Sequence, residues 1–248
     1  MPEFESHRSY DHFKKEVLNN SRYVRSERSQ KFLEALVATA SSRSKKLKEE
    51  QGLWRAQKGS RRYKEDPGQG SDSEVVVDVP LPYAQDRMKP EENKATEGRA
   101  NPKGIPHLYA ASKKRTAVTE VRPWVGSQVT VALLQTTREL QLVDCSKGGE
   151  SKIYLEEPPP EERDEIVWRK IDRAFSRPIS KSDDVANYAP TQIIADLFRQ
   201  EGYDGIIYQS SLGDGLNIVL FDLDAAEVVR TKVVYVNSVE VDFRPDGG

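Results

Sequence analysis

The stretch TQIIADLFRQEGYDGIIYQSSLGDGLNIVLF, residues 191–221, holds two periodicities side by side. Ile193, Ile194, Leu197 and Phe198 recur at helical spacing, so residues 191–201 read as an amphipathic helix. Gly202 supplies a natural residue for its C-terminal end. Residues 203–208 and 216–221 are short and apolar, and the glycine-containing segment between them predicts a hairpin. A helix feeding an antiparallel hairpin is not the βαβ alternation that builds a parallel sheet.

The same mixture continues outward. Residues 228–236 read as one more strand. Residues 165–175 fit an amphipathic helix through Ile166, Ile171, Ala174 and Phe175. It follows a Pro- and acid-rich linker over 156–163, where Glu161 and Glu162 read as solvated surface. Strands are predicted over 107–111, 129–134 and 140–143, with a helix over 113–120 that stops before Pro123. Residues 87–106 contain almost no apolar side chain, and long irregular loops of this kind often carry function. Val75, Val76, Val77 and Val79 form a β-branched run closed by Pro80 and Pro82; residues 60–72 read as a surface loop and 52–56 as a short strand.

Residues 1–50 are charged and helical in pattern, through Phe13, Val17 and Leu18 and then Phe32, Leu33, Leu36 and Val37. Ser29 is a candidate cap of the second helix, and the basic run over 43–48 suits its C-terminal end and dipole. Strands outnumber helices and no repeat is present, so the expected fold class is α+β. The expected division is a helical N-terminal extension over 1–50 and one domain over 51–248.

Composition narrows the chemistry. The 248 residues carry 38 Lys+Arg against 40 Asp+Glu, a formal charge of −2, which gives no general attraction to nucleic acid or an anionic membrane. One cysteine excludes a disulfide framework or a Cys-rich zinc site, and three histidines leave little for a His-based metal centre or a Ser-His-Asp triad. No apolar run approaches the ~18–20 residues of a membrane span, and the acidic start MPEFESHRSYDHF lacks the apolar core of a signal peptide. No metal is expected. Gly213, Asp214 and Gly215 are not followed by the third glycine of a dinucleotide fingerprint, and no GxxxxGK[ST] is present. Any enzymatic chemistry falls to Arg, Glu, Ser and Tyr.

Four places stand out. Arg55 interrupts an apolar strand-like run, although a snorkelling surface arginine has the same pattern. EGRANPKG (residues 97–104) combines a flexible backbone with Arg99, Asn101 and Lys103, and can present N–H groups and an arginine fork to a phosphate. Glu120 ends a helix face containing Ala117 and Val121, where a plain helix-end carboxylate is the simpler reading. Tyr208, Gln209, Ser210 and Ser211 sit at a strand end beside a glycine turn, where side chains project into clefts, although plain turn serines are the simpler reading.

The ordered set is more specific than its parts. LWR (53–55), GRANPKGIPHLYAA (98–111), AVTE (117–120), GYDGIIYQSS (202–211) and NIVLF (217–221) together resemble the RES domain family over roughly residues 53–222. The family takes its name from an arginine, a glutamate and a serine, which by motif correspond to Arg55, Glu120 and Ser210. The resemblance implies an ADP-ribosyltransferase-like core of two small packed sheets with flanking helices, binding NAD in a cleft between them. It implies an NAD phosphorylase or NAD glycohydrolase that cleaves the nicotinamide–ribose bond with phosphate or water as acceptor. NAD is then a substrate, inorganic phosphate a candidate co-substrate, and no cofactor is required. The implied setting is bacterial and cytoplasmic, as the toxin of a pair with an Xre-type antitoxin, with no membrane or direct nucleic-acid contact; the N-terminal helices are a candidate homodimer surface. Two alternatives stand beside it: a transferase placing ADP-ribose on a macromolecule, and a non-catalytic nucleotide-binding module.

Implied roles follow the chemistry. Cleavage passes through an oxocarbenium-like ribosyl cation, and nicotinamide leaves neutral from a pyridinium, so no general acid is needed. Glu120 would stabilise the cation, Arg55 clamp a substrate phosphate, and Arg99 share that work or hold inorganic phosphate. Ser210, or its neighbour Ser211, would position the nicotinamide or ribose. Tyr109 or Tyr63 would stack on the nicotinamide, with Asn101 also at the substrate. Ala100 stands where many members carry an aromatic residue after the GR pair, so stacking there must come from elsewhere.

Overall fold

The computed structural model describes residues 2–65, 77–91, 94–148, 156–177 and 185–240. The fold is α+β: one eight-stranded sheet, a separate two-stranded sheet and five α-helices among the described residues. In chain order the elements are α1 (Ser9–Asn19), α2 (Glu27–Ala40), β1 (Ser44–Leu47), β2 (Gly52–Lys58), β3 (Arg61–Glu65), β4 (Val77–Leu81) and β5 (Leu108–Ala111). There follow α3 (Lys114–Glu120), β6 (Gln128–Thr136), β7 (Leu140–Asp144), α4 (Pro160–Ser176), α5 (Ala189–Gln200), β8 (Gly205–Gln209), β9 (Leu216–Leu220) and β10 (Ala226–Tyr235).

The large sheet runs β1-β7-β8-β9-β5-β2-β6-β10, antiparallel throughout except for the β7–β8 pair. Its weak point is central. β2 pairs with β6 over seven residues, Gly52 to Lys58, but meets β5 through a single register pair, Trp54 with Ala111. The sheet is thus two sub-sheets, β1-β7-β8-β9-β5 and β2-β6-β10, joined at one point, and this is the form the two expected small sheets take.

Alternation along β8 and β9 sends side chains to both faces. Ile206, Tyr208 and Val219 face a core with Phe13, Phe32, Leu36, Trp168, Phe175 and Phe198 from α1, α2, α4 and α5. Ile207, Ile218 and Leu220 pack on the other face with Leu53, Leu108, Leu134 and Met88. A third cluster is small: Ala56, Ala111, Ala117, Val129, Val131 and Val236 lie between α3 and the β2-β6 sub-sheet. Gly205 is required where β8 meets β9, because a Cβ there would sit 2.1 Å from the Val219 carbonyl oxygen. Among the described residues no helix is long and apolar enough to cross a membrane.

Several local readings need correction. The α2 cap is Ser26, whose Oγ accepts from the Ser29 N–H at 3.2 Å, while Ser29 lies inside the helix. The basic run over 43–48 does not end that helix. It forms β1, where Lys45 and Lys46 stay exposed and Leu47 turns in, a lysine-bearing edge strand. Arg43 precedes it, buried over the Trp168 ring and paired with Glu165 Oε1 at 2.7 Å. Part of the expected loop over 60–72 is β3, paired with β4, which tolerates Pro80 because a two-stranded sheet is all edge. The expected linker over 156–163 becomes helical at Pro160, with proline in the first turn where its missing N–H costs nothing.

Candidate active site

Where the two sub-sheets part, a cleft of about 350 Å³ opens, within the ~300–1,000 Å³ range of small-molecule sites. Trp54, Arg55 and Ala56 of β2, Tyr109 to Ala111 of β5, Gly98 and Arg99 of the long loop, and Glu120 at the end of α3 line it. Tyr188, Tyr208 and Asn217 complete the wall.

Glu120 is the focal group. Its Oε1 accepts from Ser210 Oγ and from Asn217 Nδ2, both at 2.7 Å. Three elements meet here: α3 supplies the carboxylate, the β8 end supplies Ser210 and β9 supplies Asn217. Glycines allow the approach, since a Cβ on Gly215 would fall 2.4 Å from Thr116 Oγ1 and one on Gly213 3.2 Å from it. The turn over 210–215 therefore lies against α3 and holds Ser210 beside Glu120. Leu212 N–H donates to Ser210 Oγ at 3.1 Å, leaving that hydroxyl's own proton for the carboxylate.

Two guanidinium groups line the same cleft as this carboxylate. Arg55 Nη1 donates to the Tyr109 carbonyl at 2.7 Å, while its Nε is buried without a partner. Burial pulls Arg55 down to about 10, weakly opposed by Tyr109, so it remains a cation at neutral pH. A charge held this way favours an anion close by. Arg99 Nη1 donates to the Phe175 carbonyl at 3.0 Å. Burial works against its charge, but Tyr208, Glu120 and Tyr188 outweigh that and raise its pKa. Burial pushes the Tyr208 phenol up to about 12, with Arg99 pulling the other way, so it stays a neutral donor. Tyr109 is raised by burial first and Tyr208 second, and donates to Asn101 Oδ1 at 2.7 Å.

Of the residues singled out in the sequence, Arg55, Arg99, Tyr109 and Glu120 share one cleft, and Ser210 joins it through Glu120. Ser211 points elsewhere, donating to the Ser176 carbonyl at 2.9 Å. Asn101 lies behind Tyr109, its Nδ2 donating to the carbonyls of Thr96, Pro102 and Ile105. Tyr63 lies on β3 opposite Val79, and its side chain lies outside the described residues. The loop over 97–104 does not offer the expected cradle of N–H groups. Those of Gly98 and Asn101 bond to each other's carbonyls, that of Gly104 goes to the Ala95 carbonyl and that of Ala100 to Tyr109 Oη, and the loop lines the cleft through Gly98 and Arg99.

Sequence reasoning singled out the stretch containing Tyr208 but missed Tyr188, Asn217 and the ring of Trp54 as cleft residues. Asn217 left a signal, an amide at the start of the apolar run NIVLF, since a buried polar residue in such a run calls for a partner. Tyr188 left none. With Ala100 in the loop, the aromatic rings that line the cleft are those of Tyr188, Tyr208, Tyr109 and Trp54 from other elements. Among the described residues no group of three or more His, Cys, Asp or Glu side chains is placed to hold a metal.

The family model described as RES domain matches residues 76–244, and the chain belongs to that family. Arg55 precedes the matched span. No curated protein matches the sequence. Among solved structures, the crystal structure of the M. tuberculosis MbcT–MbcA toxin–antitoxin complex aligns at 13% identity, covering 81% of this chain and 92% of that one with a TM-score of 0.42.

Proposed function

We propose, from a chain that belongs to the RES domain family, that the cleft binds NAD and cleaves its nicotinamide–ribose bond. The observation that carries this reading is Glu120, oriented by Ser210 and Asn217 through one oxygen, in a cleft with two arginines and several aromatic rings. With Oε1 occupied, Oε2 is the oxygen available to a ribose hydroxyl and to the developing cation. One such preorganised charge contributes on the order of 3–4 kcal/mol, about 10²–10³ in rate. Arg55 and Arg99 would bind phosphate oxygens through their planar forks. Tyr188 and Tyr208 offer faces for the nicotinamide.

The bond between ribose C1 and the pyridinium nitrogen breaks, its electron pair staying on nitrogen, and neutral nicotinamide leaves. An acceptor oxygen then bonds to C1; when water is the acceptor, its proton passes to solvent. This needs no histidine and no metal ligand. The reading takes residues 51–248 as the catalytic part, with α1 and α2 of residues 1–50 packed on its core and β1 adding an edge strand to its sheet. In the cell it makes the chain a toxin that exhausts NAD, controlled by an Xre-type antitoxin that covers the cleft.

Purified protein incubated with NAD should release nicotinamide. ADP-ribose-1″-phosphate appearing only with inorganic phosphate identifies a phosphorylase, and ADP-ribose in either buffer a glycohydrolase. No nicotinamide under either condition would sink the reading, and tagged NAD labelling a protein or nucleic acid would replace it with macromolecular transfer.

A further inference from the structure

The last turn of α4 grips the cleft from behind. Asp172 Oδ1 accepts from the Gln209 N–H at 2.9 Å, and Ser176 Oγ donates to the Gln209 carbonyl at 2.7 Å. Ser211 Oγ donates to the Ser176 carbonyl at 2.9 Å, and Arg99 Nη1 to the Phe175 carbonyl at 3.0 Å. Phe175 itself stacks on Tyr208, with ring centroids 5.5 Å apart.

Strand pairing explains why this grip is needed. β7 pairs with β8 only as far as Asp144 opposite Ile207, with Cys145 N–H reaching the Ile207 carbonyl. Gln209 lies beyond that point, so its backbone groups have lost the β7 ladder, and α4 takes them up. The final carbonyls of α4 lack helical donors of their own and carry the negative end of the helix dipole. The Arg99 guanidinium from the cleft and the Ser211 hydroxyl behind it fill two of them.

We propose that Asp172 and Ser176 are positioning residues, which fix Ser210 against Glu120 by holding both backbone groups of Gln209 and tie that pair to Arg99 through the same helical turn. The inference rests on the NAD-cleaving reading of the cleft and deepens it. Asp172 is raised to about 6 by burial first and by Asp144, with the Gln209 N–H and Arg43 pulling the other way. The groups facing it are Asp144 and Cys145 at the end of β7 and Arg43 before β1, with Lys45 3.8 Å from Asp144. Protonation weakens the acceptor, so the grip holds above about pH 6 and loosens below it.

The test uses the full chain, with Asp172→Ala, Asp172→Asn and Ser176→Ala. Asp172→Ala and Ser176→Ala should each lower kcat for nicotinamide release about tenfold at pH 8, with KM changing less than about twofold. Asp172→Asn, which keeps the acceptor but cannot titrate, should recover most of that loss and remove the acid limb of kcat. Independently of activity, the Gln209 amide resonance should titrate with a midpoint near 6 in wild type and stay flat in Asp172→Asn. A flat Gln209 amide in wild type, or an unchanged acid limb in Asp172→Asn, overturns the positioning role. Wild type that releases no nicotinamide overturns the NAD reading alone, and the amide titration still decides the grip.

Discussion

The two sub-sheets are built to different standards. The β1-β7-β8-β9-β5 half carries four helices on one face, packed through Phe13, Phe32, Trp168, Phe175 and Phe198. The β2-β6-β10 half carries α3 over alanines and valines. The thick half supplies Tyr109, Tyr208, Ser210 and Asn217; the thin half supplies Arg55 from β2 and Glu120 from α3, which packs on that strand. Small side chains under α3 leave room for a cleft, and the large core opposite makes the cleft's other wall stiff. The division puts the carboxylate and one arginine on the thin half, and their hydrogen-bonding partners together with the second arginine, Arg99, on the thick half.

The largest expected difference between the halves is in stability. Phe198→Ala should cost about 3–5 kcal/mol, because it is fully buried and stacks parallel to Trp168 at 6.0 Å. Val131→Ala in the thin half should cost about 1–2 kcal/mol, the loss of two methyl groups. Equal losses in urea unfolding would break the contrast. Glu120→Gln tests the thin half chemically: kcat for nicotinamide release should fall about 10²–10³-fold, while the unfolding midpoint stays within the range of ordinary surface changes. A variant that unfolds instead would make Glu120 a structural residue.

His107, at the entrance to β5 in the thick half, sharpens the comparison through pH. Both ring nitrogens are buried without partners, and burial first, with Arg199 second, holds its pKa down at about 4. The unfolded chain takes up a proton below about 6.5 while the folded chain does not. Stability from this residue is therefore complete above pH 6.5 and is lost as pH falls toward 4, by about 3 kcal/mol in all. His107→Phe should flatten the difference between unfolding free energies at pH 7 and pH 4.5. The smallest effect separates neighbours. Ser210→Ala should lower kcat about tenfold and Ser211→Ala about threefold, the range of single hydrogen bonds, and the reverse order would exchange their roles.

Much of this was legible in advance, for identifiable reasons. The helix ending at Gly202 and the hairpin after it were readable because period and turn chemistry agree, and the structure has α5, β8 and β9 there. The grouping of Arg55, Arg99, Tyr109 and Glu120 was readable only as an ordered set of motifs, because each alone resembles ordinary surface. The strand at 44–47 was not legible, since lysines at a helix end and on an edge strand look alike from sequence. Nor was the direction of Asn101, because a loop that bonds to itself has the same composition as one that binds a phosphate. The grip of α4 on Gln209 depends on where β7 stops relative to β8, a register that no local pattern encodes.

The hydrogen bond from Asn217 to Glu120 spans 97 positions of sequence, and Arg55 lies further upstream still. During synthesis at ~5–20 residues per second, the carboxylate therefore emerges several seconds before its partners. A nascent chain that stops short of Ser210 has the charges but neither the serine nor the amide that aim them. On the NAD-cleaving reading, fragments that end before Ser210 should release no nicotinamide.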